Sequence, residues 1–153
     1  MRKERTILDR LVIKKDLEVT IAELEALRRS VDWPIRGDYG QVLREDLFCI
    51  GARLDGRLIG FVHIAGSPNS ELLIHSLCVH PDYQHQGVGS RLIETALTAC
   101  RNIDPQGVNV LFEEKNRPFF ERFGFRIMLG GYMDRPTLYR NVPGRSQTGK
   151  PSP

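Results

Sequence analysis

The run LFCIGARLDGRLIGFVHIAG, residues 47–66, constrains the fold more than any other stretch of the chain. Two apolar segments flank Asp55-Gly56, the dipeptide of a two-residue type I′ hairpin turn, whose central residues both need a positive φ. SPNS (67–70) marks another turn, and LLIHSLCV (72–79) reads as a third strand. Three antiparallel strands in succession exclude a simple doubly wound sheet, in which strands alternate with helices.

The elements around this meander follow from local signals. Upstream, TILDRLVI (6–13) is β-rich and reads as a first strand. Thr20 and Glu23 form a capping box, and Ile21, Leu24, Leu27 and Val31 recur at helical spacing, which predicts a helix over about 20–31. WPIRGDYG (33–40) breaks it, leaving a connector or short helix up to Asp46. Downstream, Val88, Leu92, Ile93, Ala96, Leu97 and Cys100 line one face of a second long helix, which DPQG ends. VNVLF (108–112) reads as a short buried strand. Asn116 can cap a further helix, with Pro118 in its first turn and Gly124 past its end. FRIML (125–129) and TLYR (137–140) read as final strands. The order is an α+β layout in a single domain over 1–143, with a Gly/Ser/Pro-rich tail from 144 to 153 expected to be disordered.

Composition narrows the function classes. The 153 residues are 41% hydrophobic and 27% charged, ordinary for a soluble domain, and no apolar run approaches the roughly 20 residues of a membrane helix. Residues 1–10 lack the apolar core of a signal peptide, so a cytoplasmic location is expected and no membrane partner. Cys49, Cys78 and Cys100 form no CxxC pair and read as buried reduced thiols; the four histidines lack ligand spacing, so no metal is expected. Of the net charge of +3, residues 1–5 carry +2 and residues 144–153 carry +2, leaving the body at −1. A nucleic-acid surface would be basic within the fold, so that partner is not expected.

One joint between strand and helix carries chemistry. HPDYQHQGVGSRLIETAL (80–97) places Gln84, Gly87 and Gly89 where a helix begins. The first N–H groups of a helix lack internal acceptors and, with the helix dipole, form an anion site that glycines leave open to close approach. The Walker A motif is absent, and the dinucleotide fingerprint GxGxxG fails at Leu92. The remaining pattern is Q-x-x-G-x-G, preceded by a strand and His80-Pro81 and followed by an amphipathic helix.

In that setting SLCVHPDYQHQGVGSRLIETAL resembles the acyl-CoA-binding signature of the GCN5-related N-acetyltransferase (GNAT) superfamily. RPFFERFGFR (117–126) resembles the family's later helix-turn-strand motif. The likeness covers about residues 7–140 in architecture and is strong over 72–126. It implies a mixed central sheet with an antiparallel N-terminal meander and flanking helices. The implied reaction is direct transfer of acetyl from acetyl-CoA, a cosubstrate, to a primary amine of a small molecule or peptide. The alternative is a non-catalytic acetyl-CoA-binding sensor or interaction module. Dimers are common in the family, so a homodimer is possible.

The likeness also implies roles by position. Leu77, Cys78 and Val79 would bond the pantetheine arm through the main chain. Gln84, His85, Gln86, Gly87, Val88, Gly89 and Ser90 would surround the pyrophosphate, a nest facing negative oxygens. Asn116, Phe119, Phe120 and Arg122 would close the other side of the coenzyme. An amine with a pKa of about 10.4 is neutral in only about one molecule in 2,500 at pH 7, a cost of about 4.6 kcal/mol that a general base offsets in part. His75, which matches a histidine that does this in arylalkylamine N-acetyltransferases, is the candidate base; strict alternation gives it the parity of Leu77 and Val79. Read without the likeness, it is equally a ring bonded within the sheet. Glu71 is a second possible base. Phe120 stands where many relatives carry the tyrosine that protonates the leaving thiolate, so the acid is unassigned, with Tyr132 or Tyr139 as substitutes. Trp33, Tyr39 and Tyr132, with Asp38 and Asp46, are candidates for the acceptor wall. Aromatic rings would suit an aromatic or aliphatic amine and the acids a cation; the sequence does not choose.

Overall fold

The Asp55-Gly56 hairpin is the centre of the sheet. In the computed structural model, which describes residues 5–35, 37–142 and 144, Asp55 (φ 49) and Gly56 (φ 83) make the left-handed pair that a type I′ turn requires. They join β2 (Phe48–Leu54) to β3 (Arg57–Gly66). β1 (Leu11–Lys15) and β4 (Glu71–Val79) flank the hairpin antiparallel, and β5 (Gly107–Val110) adds to β4 in parallel, giving the order β1-β2-β3-β4-β5. The described residues fall into two compact units divided after Leu111. The sheet belongs to the first.

Helices cover both faces. α3 (Val88–Ile103) packs on β1 to β4, presenting Val88, Leu92, Ile93 and Ala96, each at most 1% exposed. The helix can lie close because residue 60 is glycine: a Cβ there would stand 2.8 Å from Leu92 Cδ1 and 3.3 Å from Ala52 Cβ. On the opposite face lie α1 (Ile21–Ser30) and α2 (Tyr39–Glu45). α1 starts as expected: Glu23 N–H donates to Thr20 Oγ1, and Thr20 N–H to Glu23 Oε2. Its buried Leu24 and Leu27 join Leu17, Tyr39, Leu58, Phe61 and Cys78 in one core cluster. Each such buried leucine contributes about 1.5–3 kcal/mol. The connector reaching Asp46 is thus a helix, started by Asp38, whose side chain accepts from Gln41 N–H.

The second unit, from Phe112, holds α4 (Arg117–Glu121) and α5 (Arg135–Asn141). Pro118 lies in the first turn of α4, and Gly124 takes φ 89 just beyond it. Phe120 is buried, stacked on Phe112 at 4.5 Å and edge-on to Phe119 and Phe125.

Four expected elements differ. The strand expected to be buried over 108–112 ends at Val110 with none of its residues fully buried, and Leu111 beyond it is exposed. The stretch 6–13 is not one strand: Thr6 N–H donates to Asp9 Oδ2, a local closure that winds 7–9 into a 3-10 turn before β1 begins at Leu11. TLYR is not a strand but part of α5, because Asp134 caps it by accepting Thr137 N–H and Pro136 fits its first turn. FRIML is not a strand either; residues 125–134 form no regular element, and Met128 and Leu129 are exposed. Of the expected tail, residues 145–153 lie outside the described residues.

Candidate active site

The site begins where the sheet loses its regularity. β4 pairs with β5 from Glu71↔Gly107 to Ile74↔Val110, and β4 then runs on from His75 to Val79 beyond its last paired residue on that side. On its other side β4 stays paired with β3, but the register shifts: His63↔His75 is followed by Phe61↔Cys78. The extra residue is a β-bulge at Ser76, whose φ is 54.

Six described non-glycine residues have positive φ: Asp16, Asp32, Asp55, Ser76, His85 and Asp104. The four aspartates and His85, in the glycine turn, are of types enriched in this backbone. Ser76 is not, and it stands at the bulge. Held strain of this kind concentrates where function needs it.

The bulge overturns the parity expected for His75. An inserted residue moves every later side chain of the strand to the other face, so His75 shares its side of the sheet with Cys78, not with Leu77 and Val79. There its ring stacks on that of His63, with centroids 5.2 Å apart and planes 12° apart. His63 Nδ1 in turn meets the carboxylate of Asp46. Both partners are largely buried, at 14% and 21% side-chain exposure. Burial pushes the His63 imidazole below its ordinary value; Asp46 opposes that, and His75 and Arg28 reinforce it. That direction favours the neutral ring, the form able to accept a proton.

Sequence reasoning passed over His63 and placed Asp46 only in the acceptor wall. The available signal was a polar ring at an inward position of an apolar strand. Its partner lies 17 residues away, at no diagnostic spacing. A cavity of about 10 Å³ adjoins the pair, lined by His63, Ser76, Arg28, Tyr39 and Cys78 among others. That is about the room one water needs. Of the expected aromatic wall, the Trp33 and Tyr39 rings each lie 5.1 Å from the Arg28 guanidinium. Tyr132, in the second unit, is exposed. Glu71 stands at the far end of the β4–β5 pairing, where its Oε2 accepts from Asn109 Nδ2.

None of the three thiols is activated. Burial pushes Cys78 up to about 12 and raises Cys49 and Cys100 as well. A buried neutral thiol is a poor nucleophile.

Beyond β4 the chain is tied down residue by residue. His80 N–H donates to Ile59 O, and Gln84 Nε2 to Val79 O, at 2.8 and 2.9 Å. Gln86 Nε2 donates to Asp82 O. Both glutamines thus brace the turn with their side chains, and one occupies a lone pair of a carbonyl expected to face pantetheine. His85 (φ 59) and Gly87 (φ 89) then reverse the backbone around Gln86 and lead into α3. No side chain caps α3, whose N-cap is Gly87. The N–H groups of Val88, Gly89 and Ser90 in its first turn have no acceptor within the helix. Such donors, at the positive end of a 16-residue helix, can hold an anionic group. The turn, the bulge and the open edge of β4 are consecutive along the chain. Leu77, Cys78, Val79 and residues 84–90 are thereby gathered in one unit. Asn116, Phe119, Phe120 and Arg122 belong to the second unit, where the Arg122 guanidinium lies over the Phe119 and Phe123 rings.

Among the described residues no helix is long and apolar enough to cross a membrane. None of the curated proteins compared with the chain matches it. Solved structures do. A GNAT-family acetyltransferase of Streptococcus pneumoniae is 26% identical, with a TM-score of 0.72 over 82% of this chain and 98% of that one. An acetyltransferase of Trypanosoma brucei is 22% identical (TM-score 0.68, 80% and 97% covered). An aminoglycoside acetyltransferase from an uncultured soil metagenomic sample is 18% identical (0.65, 81% and 97%). The last two speak for the fold alone. The sequence pattern of the acetyltransferase (GNAT) domain matches residues 45–127, more than half of the chain, spanning the hairpin, the bulge and the glycine turn. The chain belongs to the GNAT acetyltransferase family.

Proposed function

We propose that this protein is an N-acetyltransferase that moves the acetyl group of acetyl-CoA directly to a primary amine of a small molecule or peptide. The observation that carries this reading is the run of uncapped N–H groups that opens α3 at Gly87, reached by the turn of residues 80–86 from a strand whose end is free of β5. Those donors match the charge of a diphosphate, and the open main chain of Leu77 to Val79 matches the amides of a pantetheine arm. Acetyl-CoA supplies the acetyl group as an activated thioester. Gly87, Val88, Gly89 and Ser90 orient it by their N–H groups, with His85, Gln84 and Gln86 keeping the turn in shape. Asn116, Phe119, Phe120 and Arg122 are assigned to the coenzyme by family resemblance. The inactive thiols favour direct attack by the amine over an acyl-cysteine route. One imidazole of the stacked His63–His75 contact supplies the base, and Trp33, Tyr39 and Tyr132 are assigned to the acceptor by family resemblance.

Acetyl-CoA at 100-fold excess over its Kd is expected to raise stability by about 2.7 kcal/mol, read as a rise in Tm. Thiol release from acetyl-CoA across a panel of primary amines then tests transfer. A protein that binds acetyl-CoA yet releases thiol with no amine is a sensor, and one whose Tm does not move lacks the proposed site.

A further inference from the structure

Resting on that acetyl-transfer reading, we propose that His63, held by Asp46, rather than His75, takes the proton from the attacking amine, through a water in the cavity at the Ser76 bulge.

Three observations converge on this assignment. First, the Asp46 carboxylate faces His63 Nδ1. An ionised carboxylate only accepts, so Nδ1 carries the hydrogen and Nε2 keeps its lone pair. Among the described residues no hydrogen-bond partner fixes a tautomer for His75. Second, the rings are stacked at 5.2 Å, so two imidazolium charges would oppose each other and one ring takes the proton. Asp46 compensates a positive charge on His63 directly, as a buried carboxylate does for a catalytic histidine. Third, His63 and Ser76 both line the cavity of about 10 Å³, which brings polar groups to a water-sized space near where β4 leaves β5.

The groups facing His63 set its proton affinity. From β4 come His75 and Cys78, and from β2 its register partner Cys49. α1 contributes Arg28, α2 contributes Tyr39, and the residue after α2 is Asp46. Asp46 alone of these favours the charged ring; burial, Arg28 and His75 oppose it. In the step, the amine nitrogen forms the C–N bond to the thioester carbonyl carbon. The C–S bond breaks, leaving CoA thiolate. The amine proton passes through the water to His63 Nε2 and then by way of solvent to the thiolate, which restores neutral His63 and gives CoA thiol.

The test is thiol release from acetyl-CoA between pH 5.5 and 9.5 with 2-phenylethylamine, spermidine, glycinamide and a tetrapeptide with a free N-terminus, using the fastest. His63→Gln is expected to lower kcat/KM at pH 7 by about 10²–10³-fold and to remove the acid limb of the profile once rates are expressed per neutral amine, which takes out the amine's own titration. Asp46→Asn is expected to cost at least about tenfold and to move any remaining limb to lower pH, because the carboxylate no longer supports the charged ring. His75→Gln is expected to keep the limb and stay within about tenfold of wild type. All three are expected to keep the Tm shift with acetyl-CoA, which shows the fold and coenzyme site intact. A limb that survives His63→Gln, or disappears in His75→Gln, overturns the assignment alone. Failure of the wild type to acetylate any amine overturns acetyl transfer and the assignment together. Should His63→Gln not fold, two-bond ¹H–¹⁵N correlations of wild-type imidazoles at pH 8 decide: a hydrogen on Nδ1 of His63 supports the assignment, and one on Nε2 overturns it.

Discussion

Replacing Gly87 by alanine isolates the turn's contribution. Gly87 has φ 89 and ψ 1, and an L-residue there costs about 1–2 kcal/mol. Steric conflict adds little, since the new Cβ would meet the flexible end of Leu8 at 3.3 Å. The strain has two outlets. If the turn keeps its left-handed shape, the free protein loses the whole 1–2 kcal/mol, a fall in Tm of about 2–8 °C, and coenzyme affinity is unchanged. If the turn relaxes to negative φ, the free protein is spared, but binding must restore the shape, and Kd for acetyl-CoA rises about 5–30-fold. By linkage the acetyl-CoA-saturated protein loses about 1–2 kcal/mol either way. Gly89→Ala is the control with the opposite sign. Residue 89 is helical, so alanine is expected to raise stability by up to about 1 kcal/mol, while its methyl group weakens coenzyme binding by crowding the donors. Denaturant melts with and without acetyl-CoA, paired with calorimetric Kd values, measure both quantities. If the saturated Gly87→Ala protein is as stable as wild type, or Gly89→Ala binds acetyl-CoA normally, the turn is not an anion cradle.

Other perturbations test the frame around it. Gly60→Val forces a side chain into Leu92, Ala52 and Val88, all at most 1% exposed; a loss of about 2–3 kcal/mol is expected in denaturant melts, with weaker coenzyme binding because Val88 opens α3. The Arg53 guanidinium, bidentate at 2.6 and 3.0 Å, with the Thr20 N–H, holds the Glu23 carboxyl down to about 2. The ceiling is about 3.4 kcal/mol, which a side chain one-third exposed reduces to about 1 kcal/mol; this stability should be full above pH 4.5, be lost as pH falls towards 2, and be missing at pH 7 in Glu23→Gln. Ser76→Gly relieves left-handed strain and is expected to raise stability by up to about 1 kcal/mol in melts, offset in part by backbone entropy, while slowing transfer through loss of the hydroxyl.

What the sequence made legible was what short-range chemistry decides. Asp55-Gly56 needs only its own two φ angles, the Thr20–Glu23 box closes within three residues, and the stripe from Val88 to Cys100 needs only a helical period. The uncapped start of α3 was equally visible, because glycines mark the only residues that leave it bare. TLYR misled because threonine, leucine and tyrosine favour strands, whereas Asp134 and Pro136, two residues that start helices, outweighed them. The two glutamines fit the motif by position, and the structure adds that their side chains hold the turn from within.

The bulge had no mark at all, and it reorganises the site more than any motif. Serine at 76 has no left-handed preference, so nothing in LLIHSLCV warns that alternation stops there. A count of two along the strand from His75 therefore lands on the wrong face. Its cause is the sheet: β4 must satisfy β3 on one side and leave β5 on the other, and an extra residue bends it away. His75 faces His63 at the end of the unbroken register that precedes the bulge, and Ser76 lines the cavity beside them. A pairing 17 residues apart, such as Asp46 with His63, is decided only once strand register is fixed. Motif reading thus reaches the proposed coenzyme end of the site, which one turn builds. The proposed proton-handling end, built by register across three segments, is reached only through the fold.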